Sequence, residues 1–170
     1  MPTAKRVHDI RREFHNQLKE LWELCPLCEN KKKWLDADDS KLKKTIDGRK
    51  FVFLVSKALD MYAKLDIQVL VYSKDRKFKD IDNKLKTICD ALRLPARGEL
   101  KRSRSKDDET PLFCLLQDDE SIYQIAVDTD FLLCKHPDSN FRLKLDESMW
   151  IINVKIKGNR FHENYLDLLV

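Results

Sequence analysis

Four aspartates fall in two short stretches of the chain and could together bind a hard metal ion. Asp80 and Asp82 follow a β-rich segment and open a helical one, and Asp118 and Asp119 precede another β-rich segment. Convergent carboxylate oxygens are the ligands that Mg²⁺ prefers, with water and substrate phosphates completing its shell. The four aspartates therefore predict a magnesium site, provided that the fold brings the two stretches together.

A lysine belongs to the same predicted helix face as two acidic residues. Asp82, Lys86 and Asp90 are spaced i, i+4 and i+8, which places them about 40° apart per step and away from the apolar stripe of the helix. Taken singly, each has an ordinary alternative as a helix cap or a surface ion pair, and the pair Asp118-Asp119 has one as a turn. The combination favours a site, because a metal centre that acts on phosphate also needs a cationic side chain.

The order of these residues resembles the signature of the RusA family of Holliday junction resolvases. The pattern D-x-D-N-x-x-K-x-x-x-D-A-L is matched from Asp80 to Leu92, and an aspartate pair before a strand follows it. The resemblance covers about residues 51–157. It implies a Mg²⁺-dependent endonuclease, for which Mn²⁺ is an expected substitute. Such an enzyme acts as a homodimer on branched DNA and resolves four-way junctions by paired phosphodiester hydrolysis in DNA recombination and repair.

The resemblance also implies a role for each residue of the motif. Lys86, Asp82 and Asp119 correspond to the catalytic group, in which the lysine would neutralise charge on the scissile phosphate or orient the attacking water. Asn83 and Asp90 are expected to support the metal-binding residues or to anchor the helix. The residues that match the metal site are Asp80, Asp82, Asp118 and Asp119.

Basic side chains flank the motif on both sides. One cluster directly precedes it, and the other lies in a basic loop at about 93–111 that is an insertion relative to the family. A charge run by itself is usually a solvated surface. Beside a metal site, these side chains would bind DNA phosphates with an affinity that depends on salt. The candidate DNA-binding residues are Lys74, Arg76, Lys77, Lys79, Arg97, Lys101, Arg102 and Arg104.

The composition excludes several classes of protein. A chain of 170 residues with 42% apolar residues is long enough to bury a core, and 3 glycines and 5 prolines exclude a collagen-like or low-complexity chain. No apolar run approaches the length of a membrane span. The start lacks the pattern of a secretory signal and the 5 cysteines are odd in number, so we expect a reducing cytoplasm. A net charge of +4 is too small to indicate nucleic-acid binding by itself.

Helices and strands mix without a βαβ rhythm, which predicts an α+β fold with a mixed or antiparallel sheet and packed helices. Residues 1–50 are expected to form a helical N-terminal extension, with a long helix over 3–24 and a short one from about Ser40 to Gly48. Residues 51–170 are expected to form the RusA-like nuclease domain. Its predicted elements are strands at 51–55 and 66–72, a helix at 80–92, strands near 112–116, 121–127, 131–135, 141–145 and 149–156, and a closing helix through Phe161 and Leu169.

Three alternatives stay open. Cys25-Pro-Leu-Cys28 has the spacing of half a zinc site, although the second half is missing, whereas Cys89, Cys114 and Cys134 are expected to be small core residues. The chain could be a DNA-binding protein of the same fold without catalysis, because the basic loop could cover the site. It could also be a protein-interaction module built on the N-terminal helix, with the aspartates as ordinary caps.

Overall fold

The order of the secondary-structure elements confirms the α+β class. A computed structural model of the protein describes residues 4–37, 40–71, 80–99, 110–131 and 148–158. The elements in chain order are helix α1 (Ala4–Leu21), helix α2 (Leu27–Leu35), strand β1 (Lys43–Ile46), strand β2 (Arg49–Val55), a first 3-10 helix (Lys57–Leu59), strand β3 (Met61–Val71), helix α3 (Ile81–Leu92), strand β4 (Leu112–Leu116), a second 3-10 helix (Asp119–Ser121), strand β5 (Ile122–Phe131) and strand β6 (Ser148–Gly158).

The described strands form two mixed three-stranded sheets. The first has the order β1-β2-β4, in which β1 and β2 are antiparallel and β2 and β4 are parallel. The second has the order β5-β3-β6, in which β5 is parallel and β6 antiparallel to the central strand. Every second residue of β3 from Met61 to Val71 is buried, as expected for a strand with one face on a core. The mixed strand pairing is one of the two predicted alternatives, but the described strands form two sheets and not the one that was predicted.

Helix α1 is part of the same core as the sheets. It packs against α3 and β4, and its residue Leu18 and the following Trp22 belong to one hydrophobic cluster with Leu65 of β3 and Leu116 of β4. The backbone N–H of Phe113 in β4 donates a hydrogen bond of 3.0 Å to Nδ1 of the buried His15. Residues on both sides of position 50 therefore share one core.

The segment between the first helix and β2 differs from the prediction. The prediction of a short helix from Ser40 is wrong, because this stretch contains β1, which forms a hairpin with β2. Asp47 and Gly48 make the turn with φ values of 50° and 78°. An Asp-Gly pair with two positive φ angles is typical of a tight hairpin turn, which explains why the chain reverses here. The connector before it contains the short helix α2.

Most other predicted elements are confirmed where the structure describes them. The long first helix, the strands at 51–55 and 112–116, the motif helix and the strand near 149–156 are all present, and β3 and β5 are longer than predicted. The strands expected at 131–135, apart from Phe131, and at 141–145 lie outside the described residues, as does the closing helix. No helix in the described ranges has both the length and the apolar character needed to cross a membrane.

Candidate functional site

The acidic motif begins one residue before α3 and ends with the last residue of the helix. Asp80 has a left-handed backbone with φ 58° and ψ 47°, which is uncommon for a residue other than glycine. Its Oδ1 does not cap the helix and instead accepts a hydrogen bond from Nδ2 of Asn83. The backbone oxygen of Asn83 in turn accepts a bond of 2.6 Å from Oγ1 of Thr87. Asn83 thereby ties the Asp80 carboxylate to the first turn of the helix.

The exposed face of α3 presents an acidic and a basic side chain to solvent. Asp82 and Lys86 are both exposed, and neither side chain makes a hydrogen bond or an ion pair with any residue in the described part of the chain. The opposite face, which includes Ile88 and Leu92, is buried in the core. Cys89 is seven residues after Asp82 and therefore lies on the same side of the helix, where it is half-buried. This stripe of Asp82, Lys86 and Cys89 is called the motif face below.

The second aspartate pair directly follows β4 and is held in a tight turn. The N–H of Gln117 donates to the backbone oxygen of Val55 at 2.9 Å, which keeps the end of β4 beside the end of β2. Asp118 caps the second 3-10 helix, because its Oδ1 accepts a bond of 3.1 Å from the N–H of Glu120. Asp119 comes next and is exposed.

The second 3-10 helix, which begins with Asp119, contacts α3. The end of α3 is also held against β4, since the N–H of Leu94 donates to the oxygen of Leu116 at 3.0 Å. Burial, followed by the charges of Asp119 and Asp90, raises the pKa of the Cys89 thiol. The fold thus brings one residue of the second aspartate pair close to the motif helix.

The four aspartates nevertheless do not converge on one point. Asp82 and Cys89 are separated by about 10 Å of helix, at about 1.5 Å per residue, so Asp119 lies nearer the end of α3 and Asp82 at its start. Within the described ranges, no three His, Cys, Asp or Glu side chains form a group that could hold a metal ion. Carboxylate oxygens are suitable ligands for Mg²⁺, but these aspartates are not grouped closely enough to form a metal centre.

Lys57 is a functional candidate that sequence reasoning missed. Its Nζ lies 3.3 Å from Oδ2 of Asp118 and also contacts Oε2 of Glu120. The hydrogen bond to Glu120 raises the pKa of Lys57. Burial disfavours the ionised form of Asp118, but the hydrogen bonds from the Glu120 N–H, the Asp119 side chain and the Lys57 ammonium outweigh it and lower the pKa of this carboxyl. Lys57 is therefore already paired with Asp118, one of the four aspartates that the motif assigns to a metal ion.

Asp90 anchors the end of the motif helix. Its Oδ1 accepts hydrogen bonds from Nε and Nη2 of Arg93 at 3.2 and 3.0 Å. Its backbone oxygen accepts a bond of 2.7 Å from Nη2 of Arg11 in α1. The same Arg11 nitrogen lies 3.2 Å from Oε1 of Glu99. These contacts bind α1, the end of α3 and the following turn into one unit.

The structure describes one of the eight candidate DNA-binding residues. Arg97 is exposed in the turn that contains Gly98. Cys114 is buried, as expected for a core residue, whereas Cys89 is half-buried and matches that expectation in part. Cys134 lies outside the described residues. The candidate basic residues outside the described ranges are Lys74, Arg76, Lys77, Lys79, Lys101, Arg102 and Arg104.

Comparisons of the chain with protein-family models, with curated proteins and with solved structures found no match. A functional assignment therefore depends on the residues themselves. The two relevant facts are the order of the motif residues and the position of Asp119 close to the motif helix.

Proposed function

We propose that this protein is a Mg²⁺-dependent, structure-selective endonuclease of the RusA type, which resolves four-way DNA junctions as a homodimer in the cytoplasm. The observation that carries the proposal is the motif face. Asp82 and Lys86 stand exposed and unpaired within the described chain, and Asp119 lies close to the same helix. Exposed, unpaired groups of opposite charge on one helix face are available to a ligand.

The proposal gives each residue of the motif a task. Asp80, Asp82, Asp118 and Asp119 would hold Mg²⁺ or Mn²⁺, which supplies polarisation of a phosphoryl oxygen. Asn83 fixes the orientation of the Asp80 carboxylate through its side-chain hydrogen bond. The Lys86 ammonium, one helical turn from Asp82, is placed to stabilise negative charge on a bound phosphodiester. These carboxylates are not grouped in the described structure, so metal binding by all four requires them to move together.

A cleavage assay on a branched substrate tests the proposal. A labelled synthetic four-way junction and a linear duplex of the same sequence are incubated with Mg²⁺ or with EDTA. We expect paired, metal-dependent nicks on the junction alone. Asp82→Asn and Lys86→Met should abolish cleavage and retain salt-sensitive binding in a gel shift, because neither side chain supports the core.

Asp128→Asn is the matched control for this assay. Asp128 is an exposed aspartate of β5 that belongs to no part of the motif, and its variant should cleave as the wild type does. Unchanged cleavage by Asp82→Asn would contradict the proposed site. Cleavage of the junction and the duplex at equal rates would contradict the proposed substrate.

A second candidate function is favoured by the contact between Lys57 and Asp118. With a lysine already on one aspartate, and with no grouped metal ligands in the described chain, the protein would bind branched DNA without cutting it. This candidate predicts a salt-sensitive gel shift, no nicks, and no Mg²⁺ or Mn²⁺ binding by calorimetry at millimolar concentrations. Absence of any DNA binding would contradict both candidates.

A further inference from the structure

Two cysteines that the proposed nuclease does not use are in contact with each other at the start of α2. The Sγ atoms of Cys25 and Cys28 are 3.3 Å apart. A disulfide bond is about 2.05 Å long, so the two sulfurs would need to approach by only about 1.3 Å to form one. Cys25 is exposed, and Cys28 is half-buried in the first turn of α2. The pair is thus both preorganised and accessible from solvent.

The surroundings of the two thiols differ. The Cys25 thiol donates to Oε1 of Glu29 at 3.3 Å. Its sulfur also contacts the Cys28 sulfur, and either thiol can donate in that contact. Because Cys25 is exposed and Cys28 is half-buried, a small disulfide reaches the Cys25 sulfur first, and the Cys28 sulfur is already beside it.

The other described cysteines lack this combination. Cys114 is buried, and burial raises the pKa of its thiol to about 12. Cys89 is half-buried, and burial raises the pKa of its thiol as well. The pKa of the Cys25 thiol is also raised, to about 11, so the pair differs from the other cysteines by its exposure and its sulfur contact and not by acidity. A zinc site at the pair is not favoured, because the described chain contains no group of three metal-binding side chains. The short distance between the two sulfurs favours a reaction between them over metal binding.

We propose that Cys25 and Cys28 form a redox-active dithiol that closes to an intramolecular disulfide by exchange with a small-molecule disulfide. The Cys25 thiol releases its proton to solvent, and its thiolate attacks one sulfur of the small disulfide. A mixed disulfide forms, and the first small thiolate leaves and takes up a proton from solvent. The Cys28 sulfur then attacks the Cys25 sulfur and releases the second small thiol with the proton from Cys28. Two protein thiols lose two electrons and two protons, and the small disulfide is reduced to two thiols.

Treatment of the full-length protein with glutathione disulfide tests this inference. After an acid quench, the cysteines are mapped by mass spectrometry of peptides without reduction. We expect the wild type to contain a Cys25–Cys28 disulfide without bound glutathione, and dithiothreitol should restore both thiols. Cys28→Ser should accumulate glutathione on Cys25, because the mixed disulfide cannot be resolved. In Cys25→Ser, glutathione on Cys28 should be at least tenfold less, because Cys28 is less exposed.

The controls separate the dithiol from general oxidation and from unfolding. Cys89→Ser should form the Cys25–Cys28 disulfide as the wild type does. Far-UV circular dichroism should be the same before and after oxidation, because Cys25 is outside the core. A wild type that keeps both thiols, a stable glutathione adduct on Cys25 in the wild type, or a bond from Cys25 to Cys89 or Cys134 would each overturn the inference. Closure seen only in urea would overturn it too.

Discussion

Replacement of Arg11 tests whether α1 holds the motif helix in place. The side chain of Arg11 is 1% exposed, and its guanidinium donates to the backbone oxygen of Asp90 at 2.7 Å and to Glu99 at 3.2 Å. Arg11→Met keeps most of the aliphatic length and removes the charged donor. The Asp90 oxygen, at the end of α3, then loses its partner from α1. We expect the free energy of unfolding to fall.

The size of the loss follows from three contributions. A hydrogen bond from a charged donor contributes about 1.5–3 kcal/mol. Glu99 is 21% exposed, so its ion pair with Arg11 contributes at most about 1 kcal/mol. Removal of the guanidinium also removes the cost of burying it, which offsets part of the loss. The expected net destabilisation by Arg11→Met is about 2 kcal/mol, or a fall in Tm of about 4–8 °C for a chain of this size.

Urea unfolding followed by circular dichroism measures this loss. Lys19→Met is the matched control, because Lys19 is exposed on the same helix, and it should stay within about 0.5 kcal/mol of the wild type. In a Glu99→Gln background, Arg11→Met should still cost more than about 1 kcal/mol, since the Asp90 oxygen and not the carboxylate carries most of the effect. If Arg11→Met unfolds at the same urea concentration as the wild type, the reasoning about this buried anchor is refuted.

Three further predictions concern other parts of the chain. The hydrogen bonds and charges of Cys28 and Glu29 raise the pKa of Cys25 to about 11, so alkylation of Cys25 by iodoacetamide should rise with pH up to that value. Cys28→Ser should speed this alkylation at pH 8, and an equal rate would contradict the assignment. Trp22→Ala removes a side chain with 0% exposure and should cost about 3–5 kcal/mol in urea unfolding. Gly48→Ala, at φ 78°, should cost about 1 kcal/mol in the same measurement although no atom lies within 4 Å of the new Cβ; no loss would refute the strain argument.

The motif helix and the central strand could be predicted from the sequence because each carries a clear period. Ile81, Leu85, Ile88 and Leu92 recur at helical spacing, and Ile88 and Leu92 are buried in α3. The alternation along β3 likewise matches its burial. The order of the motif residues on one helix face follows from the same spacing, since helix geometry fixes it without tertiary contacts.

The position of Lys57 could not be predicted in this way. It lies beside Asp118 because β2 and β4 are parallel neighbours, so that the segments after both strands meet at one sheet edge. That pairing joins residues about sixty positions apart, and no local pattern specifies it. The Asp47-Gly48 turn, by contrast, has a local signal, because Asp-Gly is typical of a hairpin. The same dipeptide also suits the end of a helix, which is the prediction that the structure contradicts.

The buried face of α1 also bears on which experiments can separate the candidate functions. Phe14 and Leu21 of α1 line a cavity of about 360 Å³ beside β6, whereas the buried face of the helix includes the polar residues Arg11 and His15. Arg11 and His15 bond to the backbone of α3 and β4. The buried face is therefore part of the core, and a protein partner of α1 would use residues outside it, such as those on the exposed, charged side around Glu13.

A truncation that removes α1 would remove His15 and Leu18 from the core, and loss of activity would then report unfolding and not a lost partner. Charge reversal on the exposed face avoids this problem. Glu13→Lys should leave the urea midpoint within about 0.5 kcal/mol of the wild type, as is usual for a surface substitution. If such a variant retains junction cleavage and DNA binding, α1 acts by holding α3. If it loses a protein partner at unchanged stability, the interaction-module alternative gains the evidence that a truncation could not supply.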